Sequence, residues 1–232
     1  MNKKLHNLYS SHWNDFASRV GRYRLEWHLS QPHLIDLPET WAKVHPKLMI
    51  VGQQTNGWGE RIGNYLEGDP VASLMSEHAA FEQGRFYRPT PFWQASWLIH
   101  MNLTACVAPF GFAWTNLVKL DQNGCRPSPC IEDLVCSNLP VVAREIAIAA
   151  PDIIVFFTGP NYDRRLQLTW AGATLEPVYV EQNRTEIARV EHNELPRRSF
   201  RVYHPSNLAR DRNRYERVMR QLSQFIASEA RE

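Results

Sequence analysis

No apolar run in this 232-residue chain approaches the roughly 20 residues that a membrane span requires. The opening MNKKLHNLYSSHW also lacks the apolar core of a signal peptide, so a cytoplasmic protein with no membrane partner is expected. Cysteine is scarce. Cys106, Cys125, Cys130 and Cys136 contain no CxxC pair, and without a secretory signal they read as reduced thiols. Three of them cluster, but a zinc or iron-sulfur site would want a fourth ligand at tighter spacing, so no metal is expected. Net charge is small as well, +2 at pH 7, and the chain as a whole announces no polyanion partner.

Charge is instead concentrated locally. Arg197, Arg198, Arg201, Arg210, Arg212, Arg214, Arg217 and Arg220 stand in a stretch whose acids are Asp211 and Glu216. Such a run reads either as a solvated helix face or as a nucleic-acid patch. With 44% hydrophobic and 11% aromatic residues the chain can bury one good core, so a single domain over 1–232 is expected.

Tyr9, Trp13, Phe16 and Val20 recur at helical spacing near Ser10 and Ser11 and predict an amphipathic helix over about 9–29. LMIVG at 48–52 is a short apolar run stopped by glycine, the pattern of a strand buried on both faces. FAWTNLV at 112–118, DIIVFFTG at 152–159 and FRVY at 200–203 supply three more strands. Residues 131–150 are helical by pattern, with Pro140 splitting or kinking them, and 175–190 reads as a short hairpin. Tyr215, Val218, Leu222, Phe225 and Ile226 form one stripe of a last helix. The alternation predicts an α/β fold: a three-layer α/β/α sandwich with a central, mostly parallel four-stranded sheet.

Ligands of open parallel sheets bind beyond the carboxyl ends of the strands. Those ends are GQQTNGWG at 52–59, Asn116, TGPNY at 158–162 and HPS at 204–206. Singly, each has a plain explanation: Gly52 as a strand stop, Asn116 as a satisfied core amide, His204 as a loop residue bonded to backbone. The four together are expected to converge on one crevice.

LMIVGQQTNGWG and YHPSNLAR resemble the first and second motifs of the uracil-DNA glycosylase superfamily. TNLVKL at 115–120 is similar to its strand bearing a base-reading asparagine, and PDIIVFFTG to its next strand. The resemblance covers about 48–210. It implies an enzyme that flips a nucleotide out of DNA and hydrolyses its glycosidic bond. It further implies that Asn116 reads the flipped base, with Gln53 and Asn56 beside it. His204 and the backbone N–H groups after Gly52 would stabilise the departing base. Ser206, Asn207 and Arg210 would hold phosphates, and Leu208 would fill the gap in the duplex as a wedge.

The chain departs from that pattern in places. Gln54 stands where the best-known uracil enzymes have an acid; an amide can orient water but cannot take its proton. Glu60 is the nearest carboxylate, and whether Gln54, Glu60 or neither activates water stays open. Cys136 falls where an iron-sulfur branch has one ligand, but Leu120 replaces another and the N-terminal cysteine pair is missing, so no cluster and no cofactor are expected. The insert over about 60–92 holds Tyr65, Phe86, Tyr87 and Phe92, with Trp93 just after it, and Phe86 is assigned to stack on the base. Apart from Lys119, which ends the TNLVKL stretch and faces either way, no lysine stands in a matched motif, which implies monofunctional cleavage.

The neutral first loop and the insert point to a modified pyrimidine, with glucosylated hydroxymethylcytosine of phage DNA, and hence antiviral defence, as the leading case. Excision of uracil or another deaminated base in DNA repair, and a non-catalytic DNA-binding relative, are the alternatives. A nucleoside hydrolase is disfavoured, since a free nucleoside needs neither wedge nor phosphate clamp. A monomer is expected.

Overall fold

The computed structural model describes residues 1–59, 68–105 and 108–228, without the side chains of Arg24 and Leu25. Glu60, Tyr65 and Cys106 lie outside the described residues. No helix among the described residues is long and apolar enough to cross a membrane. The chain divides into two compact units, one comprising Met1–Leu37, Gln53–Glu82 and Thr115–Ala149, the other Pro38–Gly52, Gln83–Trp114 and Ala150–Glu232.

In the first unit, α1 (Asn2–Arg19) packs against α3 (Pro70–Phe81), α5 (Pro129–Asn138) and α6 (Val142–Ala149). The helix expected over 9–29 begins and ends earlier. Leu5 extends the buried stripe of Tyr9, Trp13 and Phe16 one turn upstream, so Ser11 sits inside the helix and bonds back to the Leu8 carbonyl instead of capping it. Beyond Val20, Gly21 opens a 3₁₀ turn to Tyr23, followed by the short α2 (Arg24–Trp27). The Asp69 side chain caps α3 by accepting from Ala72 N at 2.9 Å, and Pro70 occupies the first helical position. As expected, the segment before residue 150 is split: α5 ends at Asn138, and α6 resumes past Pro140.

The core of this unit contains a buried polar set. Lys119 Nζ donates to Glu145 Oε2 at 2.8 Å and to Thr115 Oγ1 at 2.7 Å, and Thr115 and Tyr9 each donate to the same carboxylate at 2.7 Å. All four residues are buried. Burial pulls the Lys119 ammonium below its usual range, an effect that Glu145 opposes, while burial and then Glu145 push the Tyr9 phenol well up. The carboxylate is thus matched by a cation and two hydroxyls, the condition under which a buried ion pair is tolerated.

The second unit holds β1 (Leu48–Gly52), β3 (Ile153–Phe156) and β6 (Arg198–Val202), all parallel, with Val51 beside Phe156 and Phe156 beside Arg201. β1 and β3 are buried along their whole length, as continuous apolar runs require. The sheet order is β2-β1-β3-β6-β5-β4, with β2 (Ala113–Asn116) divided between the units at Trp114. The sheet therefore has six strands, not four. The hairpin read at 175–190 supplies the two extra, β4 (Thr174–Glu181) and β5 (Arg184–Glu191), which pair antiparallel with each other and, through β5, with β6. Gln182 and Asn183, at φ 49° and 60°, form a two-residue turn of the kind whose twist suits a hairpin. β4, at the sheet's edge, carries Pro177 and exposed polar residues, which discourage further strand pairing. In the same unit lie α4 (Pro91–Thr104), α7 (Asp163–Thr169), α8 (Pro205–Leu208) and α9 (Arg212–Ser228). α9 buries Val218, Met219, Leu222 and Ile226.

Glu145→Gln leaves a buried ammonium without its counter-charge and should destabilise the fold by about 3–5 kcal/mol, read as a lowered urea midpoint. Glu145→Gln combined with Lys119→Met should recover part of that loss. A single variant with unchanged stability would show that the pair contributes nothing.

Candidate functional site

The polar loop 53–59 follows β1 and belongs to the first unit. Its shape is set by a residue well outside it, Asp121. This buried carboxylate accepts from Thr55 Oγ1 at 2.6 Å and Gly57 N at 2.9 Å through one oxygen, and from Gly124 N at 2.7 Å through the other. Ser30 Oγ lies 3.0 Å from Thr55 Oγ1 and accepts from Asp121 N at 2.9 Å. Gly57 has φ +68°, a left-handed conformation that only glycine adopts cheaply. The Gln53 carbonyl accepts from Val118 N at 2.9 Å, which ties the loop to the chain leaving β2.

Gln53 and Gln54 are half-buried and Asn56 is exposed. Asn116 closes β2 with a side chain 2% exposed, and its buried Nδ2 has no hydrogen-bond partner among the described residues. Lys119, whose direction the sequence left open, points into the core against Glu145.

Sequence reading missed Asp121 and also Gln31. Gln31 is fully buried, and neither Oε1 nor Nε2 finds a partner among the described residues. Its backbone N–H donates to the Trp58 carbonyl in the first loop at 3.3 Å, and its neighbours are bonded to the chain after β2, Ser30 N to Asp121 O and His33 N to Lys119 O. A buried amide without partners costs about 1–3 kcal/mol, a deficit that a bound polar edge or a water would remove. No spacing around QPH at 31–33 signals this; the amide becomes notable through its burial.

The second unit holds the other expected residues. β6 ends at Val202, and His204 caps the single turn α8, its Nδ1 accepting from Ser206 N at 3.2 Å. The ring stacks on Phe92 of α4, with centroids 5.6 Å apart and planes 18° apart. Burial pushes the imidazole down to about 4, so near neutral pH it is uncharged. With Nδ1 occupied as an acceptor, the ring proton sits on Nε2, which leaves a neutral N–H donor.

Ser206 and Arg210 are exposed, and Arg210 makes no ion pair with another described residue. The Asn207 side-chain oxygen accepts from Arg214 at 3.3 Å; the same guanidinium forks onto Glu186 at 2.8 Å through two nitrogens and lies over the Tyr203 ring.

Several of these placements bear on the expectations. Leu208 is 0% exposed. Its turn packs against α4 and α9, so in this structure the side chain expected as a wedge fills a core. Phe86, assigned to stack on a base, is 80% exposed on a loop, while Phe92 is the buried aromatic against His204. Much of the basic run is consumed within the fold: Arg201 pairs with Asp163, Arg212 with Glu216, Arg214 with Glu186 and Arg217 with Glu181. Among the described residues Cys125, Cys130 and Cys136 form no disulfide, and no group of three or more His, Cys, Asp or Glu is placed to hold a metal ion.

Two outcomes follow from this geometry. Leu208→Ala should cost about 2–5 kcal/mol of stability and leave the ratio of action on duplex and single-stranded DNA unchanged; an unchanged melting temperature with a loss on duplex alone would restore the wedge. His204, like buried His33 and His100, has a folded-state pKa below its usual 6.5. Below about pH 6.5 the unfolded chain binds protons that the fold refuses, so this contribution to stability is whole above 6.5 and is lost as pH falls towards 4. The urea midpoint should decline over that window, less steeply in His204→Gln, and an equal slope in both proteins would contradict the assignment.

No curated protein matches the chain. A family model described as the Uracil DNA glycosylase superfamily matches residues 39–225, a span that takes in the first loop, Asn116, the His204 turn and most of α9. The chain belongs to the uracil DNA glycosylase superfamily.

Proposed function

We propose that the protein is a monofunctional DNA glycosylase that flips a modified pyrimidine out of DNA and hydrolyses its N-glycosidic bond, leaving an abasic site. Membership of the superfamily supports glycosylase action on damaged bases in general, and with it DNA as the partner. The observation that carries the catalytic reading is His204: a neutral imidazole, fixed through Nδ1, with Nε2–H free to donate. As the glycosidic bond breaks, negative charge collects on the base oxygens, and a pre-aimed donor at pyrimidine O2 stabilises that charge without the cost of reorganising. A neutral ring donates a hydrogen bond and does not surrender a proton.

Asn116 reads the base edge, and Gln31 is the second buried amide of the same unit with open hydrogen-bonding atoms. An amide offers both donor and acceptor, so the pair suits the mixed pattern of a pyrimidine edge. Gln53 and Asn56 complete the polar surface of the first loop. Gln54 orients the attacking water. Ser206 and Arg210 hold phosphates flanking the extruded nucleotide, with Asn207 braced by Arg214 beside them. The burial of Lys119 against Glu145 supports a mechanism without a Schiff base. The family match, over 39–225, takes in residues of both compact units, which supports reading that span as one glycosylase domain; we further take 1–232 as a single domain that acts in the cytoplasm as a monomer.

The substrate we favour is a modified cytosine, with glucosylated hydroxymethylcytosine of phage DNA as the leading case and antiviral defence as the role. The neutral, glutamine-bearing first loop supports a base other than plain uracil. The same feature favours the second reading, a relative that binds and senses a base without cutting it, because Gln54 cannot serve as a general base. Uracil or another deaminated base remains the repair alternative.

The protein and its His204→Ala, Asn116→Ala and Gln31→Leu variants should be assayed on DNAs carrying uracil, hydroxymethylcytosine or glucosylated hydroxymethylcytosine, with abasic sites scored by alkali cleavage. Release of one base is expected, reduced by about 100-fold or more in His204→Ala, as for loss of an oxyanion donor, and lowered in both amide variants. Borohydride should trap no covalent adduct. Tight binding with no release from any DNA would replace the enzyme with the sensing reading.

A further inference from the structure

We propose that the loop Arg85-Phe86-Tyr87-Arg88, between α3 and α4, is an element that enters the DNA duplex, in addition to the His204 turn, on which Leu208 is buried in this structure. The inference rests on the DNA-acting reading above and extends it to a surface of the second unit outside the two motifs.

The loop's base is tied down by hydrogen bonds, while Phe86 at its tip is exposed. Glu82, Gln83 and Gly84 take three successive left-handed conformations, at φ 46°, 51° and 75°. At Gly84 a side chain is excluded twice over, because its Cβ would also lie 2.8 Å from the Trp93 ring. Trp97 Nε1 donates to Gln83 O at 3.1 Å, and Tyr87 N closes onto Gly84 O at 3.0 Å. Backbone strain of this kind persists only where the surroundings impose it. What the construction presents is Phe86, 80% exposed, and Tyr87, 44% exposed. Two adjacent exposed aromatic side chains, rather than one alone, form the start of an apolar patch of the kind that contact surfaces use.

The chemistry beside it selects the partner. Arg85 lies over the Phe86 ring with its guanidinium carbon 5.0 Å from the centroid, and Arg88 over Tyr87 at 5.8 Å. Alternating guanidinium and aromatic groups match a polymer in which phosphates flank flat bases: the arginines meet the backbone and the ring stacks where a base has left. The reach is also right. Phe86 precedes Phe92, the ring stacked on His204, by few enough residues that even a fully extended chain would put their Cα atoms within about 20 Å. Phe86 is therefore close to DNA engaged at the His204 turn, whereas Leu208, on that turn, is occupied in the core.

The test uses DNA carrying a non-cleavable abasic-site analogue beside 2-aminopurine, so that neither base release nor a flipped base is needed. Phe86→Ala should keep the wild-type melting temperature, bind the duplex about tenfold or more weakly, and lose the 2-aminopurine fluorescence rise that reports unstacking. It should bind the same strand alone as the wild type does. Phe86→Trp should restore duplex binding, and Arg85→Ala with Arg88→Ala should reduce its salt dependence. Unchanged duplex binding in Phe86→Ala, an equal loss on single and double strands, or no duplex binding by the wild type would each overturn the proposal. A protein that releases no base yet shows the duplex-selective loss would refute the glycosylase and leave the loop assignment standing.

Discussion

A polar group withdrawn from water must be paired, lose its charge, or carry a deficit, and the buried polar residues of this chain sort along those lines. The paired ones build the scaffold: Lys119 with Glu145, Arg214 with Glu186, Arg201 with Asp163, and Asp121 with the hydroxyl and N–H groups of the first loop. His204 takes the second course, an imidazole held neutral by burial. Asn116 and Gln31 take the third, with amide atoms that no described residue satisfies. Two of the residues that carry the proposed chemistry, Asn116 and Gln31, are thus among those whose hydrogen bonding the fold leaves incomplete.

The same accounting changes the meaning of the basic C-terminal run. Counted along the chain, its arginines form a strongly positive segment. In the fold, Arg201 donates to Asp163 and to the Thr185 carbonyl, and Arg214 to Glu186 and Asn207. These charges fasten β5, β6 and the His204 turn to one another and to α9. The field available to a phosphate backbone therefore comes from fewer groups, Arg210 among them, and a salt slope predicted from the raw count of arginines would be too steep.

The apolar strands were legible because a strand buried on both faces writes its burial directly into sequence, as LMIVG and DIIVF do. The outer strands were harder to read. β5 buries Glu186 and β6 buries Ser199 and Arg201, so polar letters stand at core positions and the apolar signal weakens, although the hairpin itself was visible in its ends. The helix at the N-terminus lies upstream of its expected span because Leu5 continues the stripe before Tyr9 and the chain passes into a 3₁₀ turn at Gly21. At the candidate site, His204 and Asn116 were readable from strand ends. The burial of Leu208 was not legible, because spacing from a histidine says nothing about which way a side chain turns. Asp121 and Gln31 were invisible: their significance lies in hydrogen bonds made or missing across tens of residues, which no local pattern encodes.

The absence of an acid from the first loop constrains any cleavage performed here. Asp121, the carboxylate bonded to that loop, already accepts from Thr55, Gly57 and Gly124; using it as a base would cost the loop its shape. If water is not deprotonated as it attacks, the glycosidic bond must be largely broken first, and the rate depends on stabilising the departing base. That places the burden on donors aimed at the base, His204 Nε2–H foremost, and makes a neutral histidine the better choice. A charged one would bring its own desolvation cost into a site that burial has made apolar. A His204 held neutral by burial and a Gln54 that carries no charge are each compatible with the dissociative cleavage proposed above.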